Sequence, residues 1–468
     1  NIDILAMTIR KHRLAMLLVS VLAFGAQVFA QNQEVGSLFL GALGYNSDSI
    51  PISREECIDI ALSQSPTIRI ADLEVKRVQF SKKETVGNLL PNIGFSLSYQ
   101  RSIELQTIRM NMGGESTKLK MGSDNTWNTG FSLSLPIIAP TLWKAISISD
   151  TQIAQNLESA RSSRLELVNQ VNKAYYALML AIASKDVIKQ NYDIAKYTAE
   201  VYRKQFEQGT ASEYDVLRSE VQVKNIEPSL LDADISVKQC QLSLNVLMGI
   251  DDALNLYPTV TMEDMQKDMY GYLMESKSLS GNSSLRSLEL QQKLADQNVT
   301  MKKFAWIPTL GASFNVNWLS LSNGPMFKDV DFSPYSSLGV SLSVPIFSGG
   351  TKWYQLKQAK VQANELALQK ENLINSLNMQ VDLALDNINR QAKQIDSSKE
   401  GVRQAKKAHD IMLKSFQIGA ASYLQLRDSE LADTSAQLSY LQSIYNYLVS
   451  TSELDLLLGK DSAIQIAK

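Results

Sequence analysis

From Ile93 onward the chain alternates apolar and small polar positions: Ile93, Phe95, Leu97 and Tyr99 are separated by Gly94, Ser96, Ser98 and Gln100. The same period of two returns at Trp127, Phe131, Leu133 and Leu135, then from Leu310 to Trp318 and from Leu338 to Val344. Alternation sustained over eight or more residues marks a β-strand with two chemically distinct faces. Strands are therefore predicted over 92–105, 126–136, 309–321 and 335–345. Elsewhere the period is helical. Thr141 to Phe206 contains neither Pro nor Gly, and between Thr351 and Phe416 the only glycine is Gly401. Val168, Val171, Tyr175, Leu178 and Ile182 step by three and four, while Val381, Ile388, Ile395 and Val402 fall every seven, the spacing of a coiled coil. At 1.5 Å per residue the segments 141–206 and 351–416 predict helices of roughly 100 Å each, longer than a globular domain is wide.

Glycines punctuate these helices at matched places. Gln208-Gly209-Thr210 and Ile418-Gly419-Ala420 carry the glycine of a left-handed C-cap, so turns at 207–211 and 417–421 return the chain along helices 212–248 and 422–458. Ser53-Arg54-Glu55-Glu56 has the form of a capping box and opens a further helix that runs to Asn88. The whole order of helix, strand, loop, strand, very long helix, turn and long helix occurs twice. Residues 65–96 lie without a gap over the segment from Asn282, placing Leu90-Pro91 on Ile307-Pro308; GFSLSLPI from Gly130 returns as GVSLSVPI from Gly339. FEQGTASEYDVLRSE from Phe206 returns as FQIGAASYLQLRDSE from Phe416. The repeats span 52–250 and 282–460, far longer than a solenoid unit. An irregular linker, 251–281, joins them, and 461–468 is a C-terminal tail.

The strands narrow the possibilities further. Ten-residue segments with one apolar face, a small uncharged opposite face and aromatics toward one end fit the wall of a transmembrane β-barrel. Tyr99, Trp127, Trp318 and Tyr335 are the predicted membrane-interface aromatics. A soluble sheet packed on a core would also alternate, but no complementary strands are present to build a second sheet. Four strands cannot close a barrel, which needs about eight, so the chain must oligomerise.

Charge and chemistry exclude several classes. The formal charge of −2 over 468 residues offers no basic footprint for nucleic acid. After Met7, the basic residues Arg10, Lys11 and Arg13 precede an apolar run from Leu14 to Phe29 that ends in Val28-Phe29-Ala30. Residues 1–30 therefore read as a secretory signal peptide cleaved after Ala30, with 1–6 as extra upstream residues and 31–51 as a linker. No later run reaches the ~20 apolar residues of a membrane helix, so any crossing must use strands. Cys57 and Cys240 each fall inside a predicted helix and read as free thiols rather than a disulfide framework. His12 in the leader and His409 are the only histidines, so no His-based triad or His-rich metal site can be assembled. Gly113-Gly114-Glu115-Ser116-Thr117-Lys118 lacks the spacing of a phosphate loop and reads as a surface turn. No catalytic residue, cofactor or metal is expected.

Taken together, the leader, ISREECIDIALSQSPTI, LLPNIGFSLSY, GFSLSLPI and QFEQGTASEYDVL, all in duplicate order, resemble the TolC-type outer membrane factors over roughly 52–460. The resemblance implies a mainly α fold with a transmembrane β part: an internally duplicated chain of long coiled-coil hairpins plus four β-strands. It implies a homotrimer whose twelve-stranded β-barrel in the outer membrane is continuous with a periplasmic α-barrel. Such a duct would pass substrates from a periplasmic adaptor (membrane fusion) protein and an inner-membrane RND, ABC or MFS transporter to the exterior. Residues 101–125 and 322–334 would be extracellular loops.

The resemblance also implies adaptor docking at the turns, carried by Phe206, Gly209, Thr210, Phe416, Gly419 and Ala420. By position from the turn glycines, Asp215 matches an acidic member of the closed-state lock, and Asp428 matches one of two aspartates that form selectivity rings. The other ring position holds Gln425, Ala421 replaces the lock arginine and Phe416 replaces a tyrosine, which leaves a single acidic ring and no family partner for Asp215. Acids in the first turn of a helix are also favoured by its dipole without any gate. The competing reading is a secreted or surface-attached coiled-coil stalk or adhesin, which the helices alone would permit.

Overall fold

A computed structural model describes residues 50–112, 115–250, 254–265, 277–327 and 329–460. The signal peptide, most of the 31–51 linker and the tail lie outside the described residues. The elements run β1 (Ile50–Ile52), α1 (Arg54–Gln64), α2 (Pro66–Gly87), β2 (Asn92–Arg101), β3 (Gln106–Met112), β4 (Glu115–Met121), β5 (Asn125–Ile138), α3 (Pro140–Glu207) and α4 (Glu213–Met248). They continue with β6 (Leu256–Pro258), α5 (Met262–Met265), a 3₁₀ turn at Leu279–Gly281, α6 (Ser283–Phe304), β7 (Thr309–Ser322), β8 (Ser333–Ser343), α7 (Thr351–Gln417) and α8 (Tyr423–Leu458).

Several expectations are corrected. The helix expected from Ser53 to Asn88 is two helices. Its Ser53–Glu56 capping box forms, with the Ser53 amide donating to the Glu56 carboxylate at 2.8 Å. Pro66, however, forces Ser65 out of helical geometry (ψ 129°) and restarts the chain as the first residue of α2. The strand expected over 92–105 stops at Arg101, and the loop after it contains the antiparallel hairpin β3–β4. The irregular linker holds β6, which pairs in parallel with β1 and so ties the start of the first repeat to the segment between the repeats.

The chain forms two compact units. One comprises Ser163–Ser278, Gln380–Lys468 and the segment up to Arg69. Its core is the coiled-coil seam: Val171, Tyr175, Leu178, Ile388 and Ile395 are at most 1% exposed, and they share the core with Leu244, Ile444, Tyr447 and Leu454. Burial of each such side chain stabilises the fold by about 1.5–3 kcal/mol. Polar ties fix the register: Ser452 Oγ donates to Asn169 Oδ1 at 2.9 Å, Lys173 pairs with Glu453 at 2.7 Å, and Tyr175 Oη donates to the Ile52 carbonyl at 3.2 Å.

The other unit comprises Ile70–Ser162 and Leu279–Met379. Its strands form an antiparallel sheet in the order β2-β5-β7-β8, with Phe95 opposite Phe131, Phe131 opposite Val316 and Phe314 opposite Leu338. Helical segments of this unit are joined by Lys82–Asp150 (2.5 Å) and Lys370–Glu289 (2.9 Å). Arg161 binds Glu158 and also donates to the Gly281 carbonyl at 2.6 Å.

Candidate functional site

The alternation of residue types becomes two faces once the strands are in register. One face collects Ile93, Phe95, Leu97, Phe131, Phe314, Leu338, Val340 and Leu342, and Phe95, Leu97, Val340 and Leu342 are each more than 60% exposed. A continuous apolar surface of this kind has no place in water. The opposite face carries Gly94, Ser96, Ser98, Gly130, Ser132, Ser313, Asn315, Asn317, Ser337 and Ser341. At Gly130 the strands approach so closely that a Cβ would lie 2.5 Å from the Val316 carbonyl oxygen, which explains glycine at that position. Among the described residues β2 and β8 each have one partner strand, so both edges of the sheet are open within one chain.

Of the four interface aromatics expected, Tyr99 and Trp127 stack at 4.6 Å and Phe131 meets Trp318 edge-on at 6.4 Å, all on the apolar face. Trp127 extends the cluster to Phe327 at 5.6 Å, and its indole N–H donates to the Met326 carbonyl at 3.3 Å. Tyr335 does not join them. It pairs with Asn317 and alternates with Pro334, Ser336 and Leu338, which puts it on the polar face. Counting aromatics near strand ends missed this because a single-residue step reverses the face.

In the other unit, the two glycine turns are built alike. Gly209 and Gly419 have φ of +72° and +78°; the Gly209 amide donates to Phe206 O (2.9 Å) and Thr210 N to Gln205 O (2.8 Å), matched by Gly419 to Phe416 (3.0 Å) and Ala420 to Ser415 (2.8 Å). Each following helix starts in a capping box, Ser212 with Asp215 and Ser422 with Gln425. Asp215 Oδ2 accepts from Ser212 Oγ at 2.6 Å, and Gln425 Oε1 accepts from the Ser422 amide at 2.9 Å. The carboxylate of Asp215 and the amide of Gln425 therefore serve the same local role in the two repeats. Asp428 is exposed and has no ion-pair partner among the described residues.

The duplicated turns differ in their aromatics. Phe206 is 46% exposed, whereas Phe416 packs against Tyr202 at 6.0 Å and Tyr423 at 6.4 Å, and Tyr202 meets Tyr423 edge-on at 5.5 Å. The Arg218 guanidinium lies over the Tyr423 ring at 5.5 Å. Burial pushes the Tyr202 hydroxyl up to about 12, reinforced by the negative charge of Asp215. This cluster joins the first hairpin (α3–α4) to the second (α7–α8), a further link beside the Arg203–Glu220 ion pair within the first hairpin. Sequence reading missed Tyr202 and Tyr423 as partners of Phe416, since neither stands opposite an aromatic in the other repeat. Beside the cluster lies a cavity of about 880 Å³ lined by Tyr197, Tyr202, His409, Phe416 and Leu426. Next to it, one of about 550 Å³ is lined by His409, Glu430 and Asp433. Among the described residues no group of His, Cys, Asp or Glu is arranged to hold a metal, and no helix is long and apolar enough to cross a membrane. Cys57 and Cys240 are both free.

Long helical hairpins joined in one chain to an open sheet with one apolar and one polar face define a subunit of a membrane channel. Residues 57–250 and 275–460 match the family described as outer membrane efflux protein, and the chain belongs to that family. It is 23% identical over 383 residues to outer membrane protein TolC of Escherichia coli, covering 73% of this chain and 74% of that protein. It is 21% identical to the pyoverdine export outer membrane protein OpmQ of Pseudomonas aeruginosa, covering 81% and 78%. Among solved structures, CusC superposes with a TM-score of 0.70 at 18% identity over 88% of this chain and 92% of that one. The open-state MtrE outer membrane channel of Neisseria gonorrhoeae gives 0.67 at 20% identity over 87% and 88%. The protein is thus an outer membrane efflux channel that extends into the periplasm, and the coiled-coil stalk reading is set aside.

Proposed function

We propose that three copies of this chain pair edge to edge, β8 of one with β2 of the next, to close a twelve-stranded barrel. The observation that carries this reading is the open sheet, whose apolar face needs lipid and whose edges need strands. Twelve strands leave a lumen, whereas about eight would be filled by side chains. The Ser, Asn and Gly face would line that lumen, and the helical hairpins would continue it into the periplasm.

The turns at Gly209 and Gly419, with Phe206, Thr210, Phe416 and Ala420, are the docking surface for a periplasmic adaptor coupled to an inner-membrane pump of the RND, ABC or MFS type. Asp428, exposed and unpaired, converges with its two copies into a ring that favours cations, because like charges around one axis focus the field. Asp215 and Gln425 act as helix caps, which the reciprocal hydrogen bonds support. Single-channel recording on the purified protein in a planar bilayer, with its oligomeric mass, tests the assembly: a trimer with small, cation-preferring currents is expected. Retention of cation preference in Asp428→Ala would remove the ring. Unchanged adaptor cross-linking in Gly419→Val would remove the docking role.

A further inference from the structure

The sheet has a second aromatic rim that the strand pattern did not reveal. Where the strands meet the helices, Trp143, Trp306 and Trp353 are 49%, 39% and 48% exposed, and Ile346 and Phe347 beside them are 93% and 88% exposed. The helix ends at this rim carry Lys83 on α2, Lys144 on α3, Lys302 and Lys303 on α6, and Lys352 and Lys357 on α7. Lys82 is there too, paired with Asp150. In the two helical turns nearest the strands, Glu84 is the only acid. The loops at the opposite strand ends are balanced, with Arg101, Arg109, Lys118, Lys120 and Lys328 against Glu104, Glu115, Asp124, Asp329 and Asp331.

One lysine lies on a tryptophan ring and a second is tied to the backbone beside another tryptophan. The Lys357 ammonium sits 3.7 Å from the centre of the Trp353 ring, and Lys352 Nζ donates to the Ala305 carbonyl, next to Trp306, at 2.7 Å. Indole rings settle at the boundary between acyl chains and head groups, and ammonium groups held just beyond them reach the phosphates.

We infer that this collar is a binding surface for acidic phospholipid head groups of the leaflet facing the helices, and that it prefers phosphatidylglycerol-type lipids over zwitterionic ones. The inference rests on the outer membrane channel reading. Its basis is charge complementarity on a rim continuous with the lipid-facing apolar surface. Each exposed lysine near an anionic surface contributes roughly fivefold in affinity, so three of them set a preference well above tenfold at low salt, which added salt reduces.

The test uses the full-length trimer with Trp127→Phe and Trp318→Phe, so that fluorescence comes from the three collar tryptophans. It is reconstituted with brominated phosphatidylglycerol or brominated phosphatidylcholine, and quenching gives the relative affinity of the two lipids. A preference of tenfold or more for phosphatidylglycerol is expected, and it should fall to near parity in Lys83→Gln/Lys303→Gln/Lys357→Gln. Equal quenching of the parent protein by both lipids would overturn the inference while leaving the channel reading intact. Quenching by neither would show that the collar tryptophans do not meet lipid and would likewise overturn the inference, while absence of a membrane-inserted trimer would overturn the channel reading itself. If the variants fail to form trimers, mass spectrometry of lipids co-purifying with the unmodified trimer decides: enrichment of acidic phospholipid over the membrane average supports the collar, and its absence refutes it.

Discussion

Glu430 offers a quantitative test of the helical unit. Its Oε1 is buried and has no hydrogen-bond partner among the described residues, and burial pushes the carboxyl up to about 7, with only Arg427 pulling it back. The titratable groups that share its cavity are Asp186 from α3, Glu263 from α5, Lys406, His409 and Asp410 from α7, and Asp433 on its own helix. Below its ordinary value of 4.5 the carboxyl holds its proton in folded and unfolded chains alike, so ionisation costs the fold nothing. As pH rises above 4.5 the unfolded chain ionises and the folded one resists, so stability falls until about pH 7 and then levels off. The full difference corresponds to about 3 kcal/mol per chain. Partial exposure to solvent reduces it to about 2 kcal/mol. Glu430→Gln keeps the shape and cannot ionise. It is expected to stabilise the protein by about 2 kcal/mol at pH 8 and by about 0.8 kcal/mol at pH 5. For a chain of this length that is a rise of about 2 °C in Tm at pH 8, read by circular dichroism at 222 nm. An equal change at both pH values, or a loss at pH 8, would refute the assignment of an ionisation cost to this cavity.

Three further outcomes follow from the geometry. Gly130→Val should abolish stable trimers on heat-modifiable electrophoresis, because the new side chain meets the Val316 carbonyl; Gly94→Ala, whose Cβ faces only the movable Ser132 hydroxyl at 3.3 Å, should retain them. Ser422→Ala removes the cap that receives the Gln425 amide and should cost about 1 kcal/mol, with faster hydrogen exchange confined to the first turn of α8. Arg161→Ala leaves the largely buried Glu158 carboxylate without its guanidinium and frees the Gly281 carbonyl. A loss of about 3 kcal/mol in denaturant titrations is expected, with partial recovery in Arg161→Ala/Glu158→Gln.

Residue types alone determined the repeating architecture. Periods of two and three-to-four are consequences of local backbone geometry, so alternation at Ile93–Tyr99 and heptads at Val381–Val402 announce strands and coiled-coil helices wherever they fold. Matched glycines at 209 and 419 announce the turns because only glycine enters the left-handed region without cost. The duplication then showed that one order of parts is used twice. The facts that separate the two repeats came only from tertiary structure. Phe206 and Phe416 are the same residue at the same repeat position, yet one faces solvent and the other joins Tyr202 and Tyr423, because the neighbours that decide it come from distant segments. That Asp215 closes a capping box with Ser212 is a fact of its hydrogen bonds, which its position after the turn glycine did not announce. Tyr335 looked like an interface aromatic until the pairing with Asn317 fixed its face. The three collar tryptophans, distant in sequence, share a rim only because the strands bring their helix ends together. Local pattern specifies what each segment becomes; register and packing between remote segments decide which side chains meet.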